Sequence, residues 1–488
     1  MNAVALAGFW ALAFWALFSR RQMLFWLFFG TLPLGSFAVI PIELTGGLSL
    51  LATHVTAAFI VIQRFFFHRN GLKNLLSSAL RVPGLLLTLF WLVALLVTMF
   101  APRLLAGRVD VAPMTVTEFM QVSPLRPTLQ NFSQLSYVTL SVLMVFSAAD
   151  FFRSPRNHPL ILRGLLFSSG ITIATGILSY LATFLPLDSL LDPFKTAGYT
   201  LLDEASIGDG TRRITGLMPE ASAFGALTLA LLSCLYFLRH AIDDRVQLFR
   251  TNVVIVMLAV LLVMSTSSAG YVGLGVLGAL VGLDWFTRAF RINRPRFAYR
   301  GVRQDFFLAL AIVGFAALAV MATPGVFDPV MQRLDEIIFS KVESASYLER
   351  SGWTATSMQA GFDSYLIGVG LGSTRASNFA AVLFGSTGLL GFLLYFSFIG
   401  RILLTPAPKD DQRAQAVSSA LKWSFFPVFS VSLLIGTTPD FGVFEAFRFG
   451  ALMALSQAGA VAIVHAEATP EIPHRPLGPT SAAQRLRR

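Results

Sequence analysis

The stretch Gly84-Leu-Leu-Leu-Thr-Leu-Phe-Trp-Leu-Val-Ala-Leu-Leu-Val-Thr-Met-Phe-Ala101 decides the fold. It carries no charged residue. As a helix rising about 1.5 Å per residue it would be about 27 Å long, close to the thickness of a bilayer's hydrocarbon core. Comparable apolar runs recur along the whole chain, at approximately 2–18, 23–41, 47–67, 134–152, 160–185, 216–238, 251–266, 269–287, 305–323, 378–400, 423–437 and 442–464. Only helices or closed barrels satisfy the backbone in lipid. These runs are longer and more continuous than the alternating segments of about ten residues that build barrel strands. The fold class expected is an all-α polytopic integral membrane protein with about thirteen spans (12–14).

Composition agrees. The chain is 55% hydrophobic and 13% charged, with a mean hydropathy of +0.68, whereas soluble domains carry about 25% charged residues. The net charge of +11 does not point to nucleic acid. Its basic residues stand in short clusters between apolar runs, which is how topology is encoded. The single cysteine, Cys234, excludes an internal disulfide and a cysteine-based metal site. At the N-terminus the apolar run starts at Asn2 and the basic pair Arg20-Arg21 follows it, the reverse of a cleavable signal.

Placing Arg20-Arg21 in the cytoplasm puts 26 of the 37 Lys and Arg on that side and 11 on the other. Arg288, Arg291, Arg294, Arg296, Arg300 and Arg303 are the strongest anchor. The N-terminus is then expected outside and the C-terminus in the cytoplasm. Residues 1–466 form one transmembrane domain, and 467–488, rich in proline and basic at the end, a disordered cytoplasmic tail. Three external loops have real length, about 102–133, 186–215 and 324–377. Long loops in compact proteins tend to be functional.

Four segments on that outer side could carry chemistry. The first is Arg212-Arg213-Ile-Thr-Gly-Leu-Met-Pro219-Glu220-Ala-Ser222. Pro219 suits a first helical turn, and Glu220 would then sit where the helix dipole favours a carboxylate. An interfacial arginine anchor is the plainer reading. The second is Ser344-Ala-Ser-Tyr347-Leu-Glu-Arg350-Ser-Gly-Trp353 with Gly368-Val-Gly-Leu-Gly-Ser-Thr-Arg375. No strand–helix unit surrounds these glycines, which excludes a dinucleotide loop. They suit a tight or re-entrant backbone near a ligand, although solvated loop arginines are an alternative. The third is Ser377-Asn378 with Gly385 and Gly388-Leu-Leu-Gly391, which close helix packing would also explain. The fourth is Glu445 and Arg448, spaced to pair on one helix face. No histidine falls in an external loop on this topology, so an external general base would be a carboxylate, and Glu220 is the best placed.

Together these segments resemble the bacterial O-antigen polymerase and ligase superfamily (the Wzy/WaaL type). The resemblance rests on Arg213-Ile-Thr-Gly-Leu-Met-Pro-Glu220-Ala-Ser222, on Ser346-Tyr-Leu-Glu-Arg350 to Trp353 followed by Gly368 to Ser373, and on Ser377-Asn378 to Gly391. Ala221 stands where the family pattern has proline. Ser377 stands where ligases commonly carry a histidine, which favours a polymerase. The resemblance implies an inverting, metal-independent glycosyltransferase of the GT-C type that needs no cofactor. Its donor would be a glycan on undecaprenyl pyrophosphate, its product an O-antigen or exopolysaccharide. Arg213 and Arg350, with Arg212 and Arg375, would hold the pyrophosphate. Glu220 would act on the acceptor hydroxyl, and Tyr347, Asn378 and Arg448 would contribute to substrate binding. Membrane lipids, a chain-length regulator and a flippase are the partners implied. A ligase-type glycan transferase and a lipid-linked-glycan flippase are the alternatives; a transporter should show ionisable groups deep in several spans.

Overall fold

The computed structural model describes residues 2–19, 22–40, 49–114, 122–197, 213–290 and 345–467. They are helical almost throughout. In chain order the helices are α1 Asn2–Phe18, α2 Met23–Thr31, α3 Ala52–Phe66, α4 Gly71–Ala79, α5 Gly84–Leu104, α6 Leu129–Phe152, α7 Pro159–Leu181, α8 Asp188–Leu191, α9 Ala221–Leu238, α10 Arg245–Met264, α11 Ser268–Phe290, α12 Ala345–Asp363, α13 Phe379–Leu404, α14 Gln412–Trp423, α15 Phe425–Ile435 and α16 Gly442–Glu467. Among the described residues eight helical segments are long and apolar enough, by length and composition, to cross a bilayer, although one of them, α13, is broken at Gly388. The chain is an all-α, multi-pass membrane protein. The expected span at 305–323 lies outside the described residues, as do Arg212 and the tail beyond Glu467.

The bundle is built around α6, α9 and α16, whose middles are buried among the other helices. α10 and α11 are peripheral, with Val253, Val256, Val260, Val263 and Leu283 exposed. A tight aromatic group ties the centre together. The Phe25 and Phe151 rings stack at 3.9 Å, and Phe29 meets Phe447 edge-on at 5.0 Å. Ring pairs of this kind add stability beyond their buried area.

Several elements differ from their sequence expectation. The run 23–41 forms a helix only over Met23–Thr31; from there an irregular segment turns through Gly35 and bridges Ala38 to Leu51. The run 423–437 belongs to a longer element that starts at Gln412 and is interrupted at Ser424. The loop 324–377 contains α12, whose mixed polar and apolar surface gave no membrane signal. The loop 102–133 pairs Asp110–Val111 with Ser123–Pro124 in a two-stranded ribbon.

The largest departure is in α13. Gly388 has φ 66° and ψ −172°, which breaks the helix. Phe379 and Tyr395 are 16 residues apart, about 24 Å along a straight helix, yet their ring centroids are 5.5 Å apart. Phe384 and Phe392 likewise meet at 6.2 Å. The pairs nest around residue 388, so 379–387 and 389–404 form an antiparallel helical hairpin. A side chain at Gly388 would collide with backbone, since its Cβ would lie 2.2 Å from the Leu366 carbonyl oxygen. α12 packs along the first arm of this hairpin, Gly361 against Phe384 and Ser357 against Gly385.

Candidate functional site

The hairpin brings one set of expected residues together. Asn378 caps its first arm, its Oδ1 accepting from the Ala381 N–H at 3.0 Å. The Ser377 N–H donates to Thr354 Oγ1 at 3.0 Å, which fixes the segment before the cap against α12. Arg375 lies flat over the Trp353 ring, its Cζ 3.2 Å from the centroid. Its Nη1 donates to the Met114 carbonyl at 3.3 Å, and its backbone N–H to the Ala112 carbonyl at 2.9 Å. Among the described residues its Nε, which is buried, has no hydrogen-bond partner, and neither has Trp353 Nε1. Partial burial draws the Arg375 guanidinium below its ordinary range; neighbouring Glu349 opposes this and Arg350 adds to it. Guanidinium remains charged at physiological pH regardless. Arg350 is half-buried on α12 close enough for its charge to act on Arg375. Tyr347 falls in the first turn of the same helix.

The glycine run beside this set is re-entrant in the way its composition suggested. Gly368, Gly370 and Gly372 have φ of 92°, 89° and 76°. The Val369 and Gly370 N–H groups donate to the Gly385 and Ser386 carbonyls at 2.9 and 3.0 Å. Asn131 Nδ2 holds the next residues, donating to the Leu371 carbonyl at 2.7 Å and to Ser373 Oγ at 2.8 Å. These contacts anchor the loop that leads into Arg375.

Arg213 and Glu220 form a second set. Residues 213–220 pack on the irregular segment after α2, where the Ser36 N–H donates to the Leu217 carbonyl at 2.9 Å. Arg213 Nε is buried and has no partner among the described residues. Helix α9 starts at Ala221, so Pro219 stands outside it and Glu220 is the N-cap residue, with φ −156° and ψ 163°. The Glu220 carboxylate takes no amide of the first turn; it accepts from the Ser222 hydroxyl. Among the described residues no hydrogen bond or ion pair joins this set to Arg350 and Arg375.

The third set is internal. Arg448 has no accessible surface, and its Nη1 is 3.3 Å from Glu445 Oε2. Nη1 also donates to the Ser424 carbonyl at 3.2 Å, and Nη2 lies 3.6 Å from Cys234 Sγ. Arg448 thus ties α16 to the α14–α15 interruption and to α9, which is a structural task. Asp440, in the connection between α15 and α16, went unnoticed because Thr437-Thr-Pro-Asp-Phe-Gly442 reads as a plain turn. Its Oδ1 is buried without a partner among the described residues, and its charge acts on both Tyr137 and Tyr395. Trp353 was visible in the motif but not as the platform for Arg375. Among the described residues no group of three or more His, Cys, Asp or Glu is placed to hold a metal ion.

The arrangement offers a guanidinium with an unbonded Nε beside an aromatic platform and a helix cap, suited to an anion with a flat or sugar-bearing attachment. No protein-family model matches the chain, and no curated protein is significantly similar to it.

Proposed function

We propose that the protein is a polysaccharide polymerase of the O-antigen or exopolysaccharide kind, joining oligosaccharide repeat units carried on undecaprenyl pyrophosphate. On this reading about thirteen spans sit in a bacterial inner membrane in a GT-C-like arrangement, with the N-terminus periplasmic and the reaction at the periplasmic face. The observation that carries it is Arg375, held over the Trp353 ring with its Nε buried and, among the described residues, without a hydrogen-bond partner.

The chemistry follows from that charge. The acceptor hydroxyl attacks the anomeric carbon, the bond to the lipid pyrophosphate breaks, and negative charge grows on the departing oxygen. Arginine forks match phosphate oxygens and remain charged. Donors aimed at developing charge can supply about 3–4 kcal/mol each. Arg350 and Arg375 hold the pyrophosphate, Arg213 and Arg212 extend the cationic surface, and Glu220 takes the hydroxyl proton. Asn378 and Tyr347 contact the glycan, and the lipid enters between helices.

A flippase for the same lipid-linked glycan is the second reading, favoured by ionisable groups inside the bundle. Asp440, the Glu445–Arg448 pair and the Arg64–Asp150 pair make the spans less clean than their hydropathy suggests. Purified protein incubated with a lipid-pyrophosphate-linked repeat unit separates the two. A ladder of products, lost in Arg213→Ala and Arg350→Ala at unchanged protein level, is expected of a polymerase. Full-length polymer from both variants would sink the assignment, and a blank lane with competent substrate would favour the flippase.

A further inference from the structure

The segment from Phe66 to Val82 has its amphipathicity reversed. In α4 the buried positions are the small ones, Gly71, Ser78 and Ala79, which pack toward α3 and α6. The leucines point outward: Leu72, Leu76 and Leu80, at i, i+4 and i+8, are 64%, 51% and 70% exposed. Phe66, Phe67 and Val82 prolong this exposed apolar stripe at either end. A helix of nine residues is about 13 Å long and cannot cross a bilayer. An apolar face on so short a helix is stable where it lies in the plane of the membrane surface, its leucines dipping into the acyl boundary.

The charges around the stripe have one sign. Arg69, Lys73 and Arg81 are exposed, and residues 62–100 contain no Asp or Glu. None of the three makes an ion pair among the described residues. Arg64 differs: it is bonded to Asp150, whose other oxygen accepts from Asn74 of α4 at 2.7 Å. That buried link fixes α4 to the bundle, and with it Lys73 on the helix and Arg69 and Arg81 on its two flanks beside the leucine stripe.

We propose that α4 and its flanks form a membrane-surface site for anionic phospholipid. Arg69, Lys73 and Arg81 engage the headgroup phosphates while Leu72, Leu76 and Leu80 lie against the acyl chains. This does not depend on the glycan chemistry proposed above.

The test uses full-length protein, delipidated in mild detergent and offered mixtures of phosphatidylglycerol and phosphatidylcholine. Bound lipid is counted by native mass spectrometry and the melting temperature followed in parallel. Wild type is expected to retain phosphatidylglycerol preferentially and to melt higher with it. The triple variant Arg69→Ala, Lys73→Ala, Arg81→Ala should lose this preference, each cation accounting for roughly a fivefold factor at an anionic surface. A charge-keeping variant, Arg69→Lys, Lys73→Arg, Arg81→Lys, should restore it. An unchanged lipid ratio in the alanine variant overturns the proposal. So does equal thermal protection by inorganic phosphate, which would assign the cations to free anions.

Discussion

Replacing Gly388 by alanine separates a hairpin from a straight helix by the sign of the effect. In an exposed or lipid-facing straight helix, glycine to alanine stabilises by about 0.8–1.0 kcal/mol, because alanine is the better helix former. In the hairpin the opposite holds. Gly388 sits at φ 66° and ψ −172°, a region essentially closed to side chains and costing about 1–3 kcal/mol. The added Cβ would also lie 2.2 Å from the Leu366 oxygen and 2.4 Å from the Ile367 carbonyl carbon. These are backbone atoms that cannot rotate away, so the two arms must separate. A total loss of about 3 kcal/mol or more is expected. For a chain of 488 residues, an unfolding entropy near 2.1 cal/mol/K per residue turns this into a fall of about 3 °C. Gly275 is the control: on α11 no atom lies within 4 Å of its would-be Cβ, and Gly275→Ala should melt at or slightly above wild type. Thermal unfolding in one detergent, followed by intrinsic fluorescence, reads both. A Gly388→Ala protein that melts at or above wild type would refute the chain reversal.

Three further outcomes are expected. Arg375→Lys should lose product formation nearly as fully as Arg375→Ala, because an ammonium cannot lie flat on Trp353 and donate sideways; product yield at matched protein level checks this. Arg448→Met should destabilise by about 3–5 kcal/mol by stranding the Glu445 carboxylate, and Arg448→Met with Glu445→Leu should recover much of the loss in thermal unfolding. Burial pushes the Asp440 carboxyl above its ordinary value, while the Ser141 hydroxyl and the Gly442 amide hold it back. The folded state then keeps this proton at a pH where the unfolded chain has released it. Stability therefore falls as pH rises from about 4 through the folded value; Asp440→Asn should flatten that part of the melting-temperature profile, and an unchanged profile would show the group is not strained.

What was legible in the sequence was hydropathy, and hydropathy measures length in lipid but not direction. The run at 84–101 became Gly84–Leu104, and 2–18 became Asn2–Phe18. Glu445 and Arg448 paired as their spacing required. The reversal at Gly388 was invisible because the chain stays apolar through it; the glycines there read equally as packing residues. α12 was missed because Glu349, Arg350 and Gln359 interrupt its apolar positions. The break at Ser424 shifted span twelve because Trp423-Ser-Phe-Phe looks like a beginning when the helix before it is polar. Arg375 could be named from its motif, but its contact with Trp353 depends on the glycine loop folding back, which no local pattern encodes.

The same physics decides which charges are candidates for chemistry. In water, burial marks the apolar residues as interior. In lipid, leucine is equally at home inside and outside the bundle, so Leu72, Leu76 and Leu80 are exposed while serines, threonines and charges collect inside. A buried charge here is ordinary if its partner is buried with it. Arg64 with Asp150, Arg288 with Asp284 and Arg448 with Glu445 meet that condition; the first joins α3 to α6, and the other two are pairs within one helix. Arg213 and Arg375 do not meet it. Each keeps a buried nitrogen without a hydrogen bond, and neither has a carboxylate at ion-pair distance among the described residues. A guanidinium Nε left buried and unbonded is costly unless something arrives to satisfy it. That cost, rather than exposure or motif, is why these two arginines are the strongest candidates for binding an anion from outside the protein.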